Sequence, residues 1–333
     1  MNVRISGPPA FLPFLMCCAI GVLPAQTSPR LMSTPVQLRS TPLPDRIGNP
    51  SMLTGCARMT GLLDYSDMTI HRFDASGRRA GGYTKVGRGP GELLDPGGLQ
   101  FDERCQLWIG DTGNSKVLVL DSLWRKVTEF SVQSPLRGVA PLAGGKVIVA
   151  VPLSVTEMLH IVDATGQLVV KVPLPEDFRT LNPIVRERYV ARLNDSLAVV
   201  QFRWFDRRLL VDARGRIVAD FTGEMGGEGP RVIEMVLGKE SRGYRVDSRS
   251  AEFARSIGTR GDTLLVVRGQ PSSGRKDEPL PRRTRVLRIL ATTGRVIDEL
   301  DVPAGISWIA ATARGVFAVG ETDNGYVWYE LRR

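Results

Sequence analysis

Histidine and cysteine are nearly missing from this chain: its 333 residues include two His and four Cys. Two imidazoles are too few for a His-ligated zinc site or a Ser-His-Asp triad, and four thiols exclude a disulfide-dense scaffold. No apolar run reaches the roughly 20 residues of a membrane-spanning helix, so no transmembrane span is expected. G-x-S-x-G and G-x-x-x-x-G-K-[ST] are both absent. Gly87-x-Gly89-x-Gly91 is interrupted by Pro90 and leads into no strand-loop-helix unit, so no nucleotide cofactor is expected. Asp111-Thr112-Gly113 spells the aspartic-protease triplet, but that chemistry shares a proton between two such carboxylates and no second copy exists. No residue is assigned a catalytic role.

What the chain does have is apolar material. Hydrophobic residues make up 42% and charged residues 24%, while Gly 35 and Pro 22 stay below the level that marks disorder or collagen. The formal net charge is +9, and only 7 of the 44 basic residues are Lys. The arginines are scattered, which argues for a solvated basic surface and against a nucleic-acid footprint. Residues 1–25 read as an export signal: Arg4, the apolar stretch Phe11 to Leu23, and Leu23-Pro24-Ala25 as cleavage site. Phe14-Leu15-Met16 lacks the small residues that precede a lipidated Cys, which disfavours an anchor at Cys17 or Cys18. The expected location is periplasmic or extracellular. Cys56 and Cys105 lie beyond that signal; in an oxidising compartment they can pair if their Cα atoms come within about 7 Å, which the sequence leaves open.

A phrase recurs after residue 48: apolar strand, polar corner, apolar strand, then Asp-x-x-Gly. Ile70-His71-Arg72-Phe73-Asp74-Ala75-Ser76-Gly77 matches Leu159-His160-Ile161-Val162-Asp163-Ala164-Thr165-Gly166 and Leu209-Leu210-Val211-Asp212-Ala213-Arg214-Gly215. Weaker copies place the Asp-equivalent positions at 74, 121, 163, 212, 291 and 330, with intervals of 47, 42, 49, 79 and 39. A period of about 40 to 50 built from strands is the mark of a β-propeller. The expected fold is therefore all-β, a six-bladed β-propeller with four-stranded blades over residues 48–333. Segments such as Val147-Ile148-Val149-Ala150-Val151 are apolar throughout because each blade is covered on both faces. A β-sandwich shares the short strands but has no reason to repeat one phrase six times. His71 and His160 occupy equivalent third-strand positions, where a packed histidine is the simpler reading. The 79-residue interval implies an insertion near 225–252, with Arg231 to Leu237 spaced as a short helix. Residues 26–47, rich in Pro, Ser and Thr, read as a linker whose Val36-Gln37-Leu38 can supply an outer strand to the last blade and close the ring.

Gly87-Arg88-Gly89-Pro90-Gly91-Glu92, followed by Asp95-Pro96-Gly97-Gly98-Leu99, resembles the G-x-G-P-G-E signature of bacterial exported six-bladed propeller proteins. Asp111-Thr112-Gly113-Asn114-Ser115-Lys116-Val117 is similar to the D-x-x-N-x-(R/K)-(I/V) phrase of NHL-type repeats within the TolB-like propeller superfamily. The match is close over the first two blades and loose over the rest; the third to fifth blades lack the Asp-x-x-Asn corner. The resemblance implies the fold and an exported binding protein; it does not imply an enzyme.

Counting back from the Asp turns, the corners between second and third strands gather on one end of the ring, joined by the links between blades. Function is expected there. Asp64, Asp67, Asp111, Asn114, Asp323 and Asn324 make one side acidic, and Asp64, Asp111, Asn114 and Asp323 are candidate Ca²⁺ ligands, with capping of their own turns as the competing role. Arg203, Trp204, Arg207, Arg282 and Arg283 make the other side basic and aromatic. With Arg88 and Glu92 of an inter-blade link they are the candidate partner-binding residues. The leading expectation is a monomeric, exported, non-catalytic propeller that binds a peptide, glycan or protein partner and needs no cofactor. The alternative is a Ca²⁺-dependent hydrolase or lactonase resembling the gluconolactonase-type propellers.

Overall fold

The computed structural model describes residues 34–35, 37–43, 47–133, 136–152, 154, 156–223, 230–236, 242–247, 250, 252–269 and 283–332. The expected export signal lies outside them. Two strands precede the first blade, β1 (Thr34–Pro35) and β2 (Gln37–Pro42). The first blade is β3 (Pro50–Gly55), β4 (Met59–Asp64), β5 (Thr69–Asp74) and β6 (Arg79–Tyr83); the second is β7 (Pro96–Phe101), β8 (Leu107–Asp111), β9 (Lys116–Leu120) and β10 (Lys126–Ser131). β11 (Val139–Pro141), β12 (Val147–Ala150), β13 (Glu157–Val162) and β14 (Leu168–Pro173) form the third blade. A short helix, α1 (Glu176–Arg179), leads to the fourth: β15 (Arg188–Arg192), β16 (Leu197–Phe202), β17 (Arg207–Asp212) and β18 (Ile217–Thr222).

Between the fourth and fifth blades stands a hairpin, β19 (Val232–Val236) with β20 (Arg242–Val246), paired from Val232↔Val246 to Val236↔Arg242. The sequence spacing predicts a helix over Arg231 to Leu237, and the structure has a strand. Val232, Ile233 and Val236 are β-branched, lose rotamer freedom in a helix and suit a paired strand. The fifth blade is β21 (Ser256–Arg260), β22 (Thr263–Val267), β23 (Arg283–Leu290) and β24 (Val296–Pro303), and β1 adds a fifth, parallel strand at its edge. β25 (Ile306–Ala311), β26 (Val316–Thr322) and β27 (Gly325–Arg332) complete the set, and the outermost strand of that last blade is β2, paired from Gln37↔Arg332 to Pro42↔Val327.

The six innermost strands touch in the cyclic order β3, β7, β11, β15, β21, β25 and back to β3. All-β architecture in a closed six-bladed propeller follows, each blade keeping only short inner and outer edge strands. The middle strands carry the core: every residue of β4, β8, β9 and β12 is buried, whereas β6 and β18 are mostly exposed. That explains the continuous apolar runs, since a middle strand faces a neighbouring blade on each side. Leu62, Leu118 and Ile148 are 0% exposed, and truncating such a side chain to Ala costs about 2–5 kcal/mol.

The Asp-x-x-Gly turns join third to fourth strands. Asp74 Oδ1 accepts from the Ser76 N–H, the Ser76 hydroxyl and the Arg78 N–H, and Gly77 adopts φ 80°. Asp163 repeats the pattern with Thr165 and Gln167. In the second blade Trp124 takes the glycine position at φ 65°, a conformation that strains a side chain. Its ring is buried under the Arg72 guanidinium of the first blade, 6.0 Å from the centroid. Cys56 and Cys105 form a disulfide with Cα atoms 5.6 Å apart, tying the first blade to the second.

Candidate functional site

The second-to-third-strand corners and the inter-blade links share one end of the ring, and one hydrogen bond repeats there. In four blades a residue at the end of the second strand donates its N–H to the carbonyl just ahead of the innermost strand. Tyr65 donates to Asn49, Thr112 to Asp95, Arg203 to Glu187 and Glu321 to Gly305, at 2.8, 2.8, 2.8 and 3.1 Å. The bond pins each corner over its blade's inner edge, so these side chains ring the mouth of the central channel. The channel has a volume of about 950 Å³ and is walled by the innermost strands, a size that suits a small ligand or the end of a chain.

The corner carboxylates of the first two blades serve the backbone. Asp64 accepts from the Gly48 and Asn49 N–H groups, both at 2.8 Å, and from the Ser66 N–H and hydroxyl. Burial pushes this carboxyl up, but the hydrogen bonds from Ser66, Gly48 and Asn49 outweigh it and hold the pKa below the ordinary value. Asp111 does the same for the Leu94 and Asp95 N–H groups, at 3.0 and 2.8 Å, and takes the Asn114 side-chain amide at 2.7 Å. Asn114 in turn reaches the Gly87 carbonyl at 2.9 Å. Asp323 stands apart, exposed on the β26–β27 turn. The structure therefore spreads the four candidate Ca²⁺ ligands over three corners, Asp111 and Asn114 sharing one, and leaves the three carboxylates on separate turns. Asp64 does meet Asp67 and His71, one ligand atom of each lying within 4.8 Å of the others. His71 is 3% exposed with neither ring nitrogen hydrogen-bonded, and burial, ahead of Arg79, pushes its pKa down.

The link carrying the Gly-x-Gly-Pro-Gly-Glu string folds on itself. The Glu92 carboxylate accepts from the Gly89 N–H at 2.7 Å, Gly91 N–H goes to Glu129 at 2.7 Å, and Lys116 donates to the Gly89 carbonyl at 3.1 Å. Glu92 thus braces its own loop, while Arg88 is exposed.

The opposite arc of the mouth is built differently. Arg203 donates to Glu187 at 2.5 Å and to Glu252, and its guanidinium lies 5.1 Å from the Trp204 ring centroid. Burial alone would lower the Arg203 pKa, but Tyr189, Glu187 and Glu252 raise it. Arg137 approaches Glu187 at 3.8 Å and Arg255 approaches Glu252 at 3.8 Å. The result is an alternating arc: Arg137, Glu187, Arg203, Glu252, Arg255. Behind it Arg188 donates only to the carbonyls of Met158, Arg186 and Val151, and burial, then Arg186, pushes it down to about 10. Arg186 likewise meets only carbonyls, of Ser154, Arg179 and Leu181.

Of the other candidates, Arg207 turns away from the channel. It pairs with Asp177 of α1 and Asp220 of β18 and stacks 5.1 Å from the Phe178 ring. Arg283 opens β23 opposite Pro303; Arg282 lies outside the described residues. Arg137, Arg186, Glu187, Tyr189, Glu252 and Arg255 were not signalled by the repeat. They sit at the entries to innermost strands, in links that vary in length and share no residue pattern. Neither histidine lines the channel.

No family profile matches the chain, and no curated protein matches it. Solved structures do. A member of the DUF4221 family from Bacteroides vulgatus superposes with TM-score 0.60 at 11% identity, over 91% of this chain and 97% of its own. A candidate exported protein of Bacteroides fragilis gives 0.59 at 11%, over 89% and 94%. A streptogramin B lyase gives 0.53 at 12%, over 89% and 98%. Likeness at such identity shows the propeller fold. Among the described residues no helix is long and apolar enough to cross a membrane.

Proposed function

We propose that this chain is an exported, non-catalytic binding protein that captures a peptide, glycan or protein partner at the mouth of its central channel. The observation that carries this reading is the contrast between a channel of about 950 Å³ and the charged arc at its rim, whose side chains hold one another rather than the backbone. Binding sites favour a concave surface with a few convergent polar groups, displayed by loops on a rigid scaffold. Export is supported by the leader-like residues 1–25 and by a structural neighbour named as exported. A non-catalytic role is supported by a channel lining with no histidine or cysteine among the described residues.

The test uses a glycan array and a peptide array probed with the purified protein and with Ser307→Trp. Ser307 lines the channel beside Arg255, 3.4 Å from its guanidinium, so the indole plugs the mouth from a half-buried position. The expected result is a set of ligands held by the wild type and lost by the variant at unchanged melting temperature. Ligands held equally by both proteins, or none on either array, overturn the proposal.

A further inference from the structure

Among the described residues, the channel wall contributed by the third to fifth blades carries more arginines than carboxylates. Among those described residues five arginines line it, Arg137, Arg186, Arg188, Arg203 and Arg255, against two carboxylates, Glu187 and Glu252. Asp95 and Glu321 stand across the channel on the second and sixth blades, and Asp95 already accepts the Tyr65 hydroxyl. Arg186 is 4% exposed, its Nε–H has no partner, and none of its partners is an acid. A guanidinium desolvated without a carboxylate is unfavourable unless something else supplies the charge. At the two ends of the arc the pairing is loose. Arg137 and Arg255 keep 62% and 47% of their side-chain surface exposed, and each has its carboxylate only at 3.8 Å.

Hydroxyls accompany this charge. Ser256 Oγ on the same wall and Ser51 Oγ on the first blade are buried without a hydrogen-bond partner, and both residues line the channel. Tyr189 also lines it between Arg203 and Glu187, its hydroxyl pushed up by burial. Across from the arginines, Tyr65, Trp308 and Tyr326 supply aromatic surface. A ligand matching this channel presents carboxylates to the arginine wall and a ring face to the aromatics.

We infer that the channel binds an oligomeric sugar acid, one carboxylate meeting Arg137 and another meeting Arg255 at the two ends of the arc, with a sugar ring lying toward Trp308. This rests on the reading of the channel mouth as the binding site and adds the chemistry of the ligand. The arginines lie inside a concave channel of about 950 Å³, a size that favours a small glycan over the face of a folded partner; the free carboxyl end of a peptide is the competing occupant.

The test is calorimetric titration with tri-galacturonic acid, neutral galactotriose and a tripeptide with a free carboxyl end, using wild type, Arg137→Ala, Arg255→Ala and Ser307→Trp. The inference expects binding of the triuronate alone, abolished by the plug and weakened about 10- to 100-fold by each arginine variant, the loss of a charged hydrogen bond. Added salt should weaken it further. Equal binding of galactotriose, preference for the tripeptide, triuronate affinity unchanged in both arginine variants, or no triuronate binding each overturn the inference. Arrays that still return a plug-sensitive ligand would then leave the binding-site reading standing and remove only the sugar acid.

Discussion

Two arcs of one rim use their charged residues in opposite ways. In the first and second blades Asp64, Asp111 and Glu92 bend onto loop N–H groups and lock each link to its corner. In the third to fifth blades the corresponding corner lacks the acid: Phe202 stands where Asp64 and Asp111 end their second strands, and Arg203 follows it into the channel. A carboxylate spent on the backbone pins a loop; a guanidinium paired only with other side chains holds no loop in place and can exchange its partner for a ligand's carboxylate. One half of the ring is thus a frame and the other a surface, and substitutions sort by which half they strike.

The largest expected effect is on the frame. Replacing Cys56 and Cys105 by Ser opens a cross-link between residues separated by 49 in sequence, which costs about 4 kcal/mol by loop entropy, and chemical denaturation should show it without loss of ligand capture. Asp111→Ala leaves the Leu94 and Asp95 N–H groups unpaired and should cost about 2 kcal/mol; an unchanged melting temperature would show that water replaces the carboxylate.

Acid sensitivity sharpens the contrast. Because the Asp64 pKa is depressed in the folded state, the unfolded chain takes up its proton first as pH falls. The stability this carboxylate provides is complete above the ordinary Asp range near 4 and drains away below it. Asp64→Asn should therefore lower stability at neutral pH and flatten the acid limb of the stability profile. Arg207→Ala, which removes pairs with two exposed carboxylates and the stack on Phe178, should cost about 1 kcal/mol and leave capture intact, because the side chain points to the blade's outer edge. The smallest expected effect is that of CaCl₂. With Asp64, Asp111 and Asp323 on separate turns, no shift in melting temperature is expected, whereas saturation of a real site at a hundred times its Kd adds about 2.7 kcal/mol. A calcium-dependent rise would point to Asp64, Asp67 and His71.

Blades were legible in the sequence because their signals are local. Asp74, Asp163 and Asp212 each satisfy N–H groups two and four residues on, so the turn writes itself into a short phrase. Ring closure makes neighbours of residues that share no phrase: Arg203 and Glu252 lie 49 apart in sequence, Trp308 and Pro50 258 apart. Corner counting located Arg203 at the mouth but could not tell that Arg207, four residues on, belongs to the strand that leaves it. Over Val232 to Val236 the apolar spacing fits either period, and the partner strand β20 decides.

Hydrogen exchange with and without a captured ligand tests most directly that binding occurs at the corner end of the channel. Slowed exchange is predicted across 49–53, 137–139, 187–191, 203–204 and 252–257, with the Asp turns at 75–78, 164–167 and 213–216 unaffected. Protection centred on those Asp turns, at the other end of the ring, would contradict it.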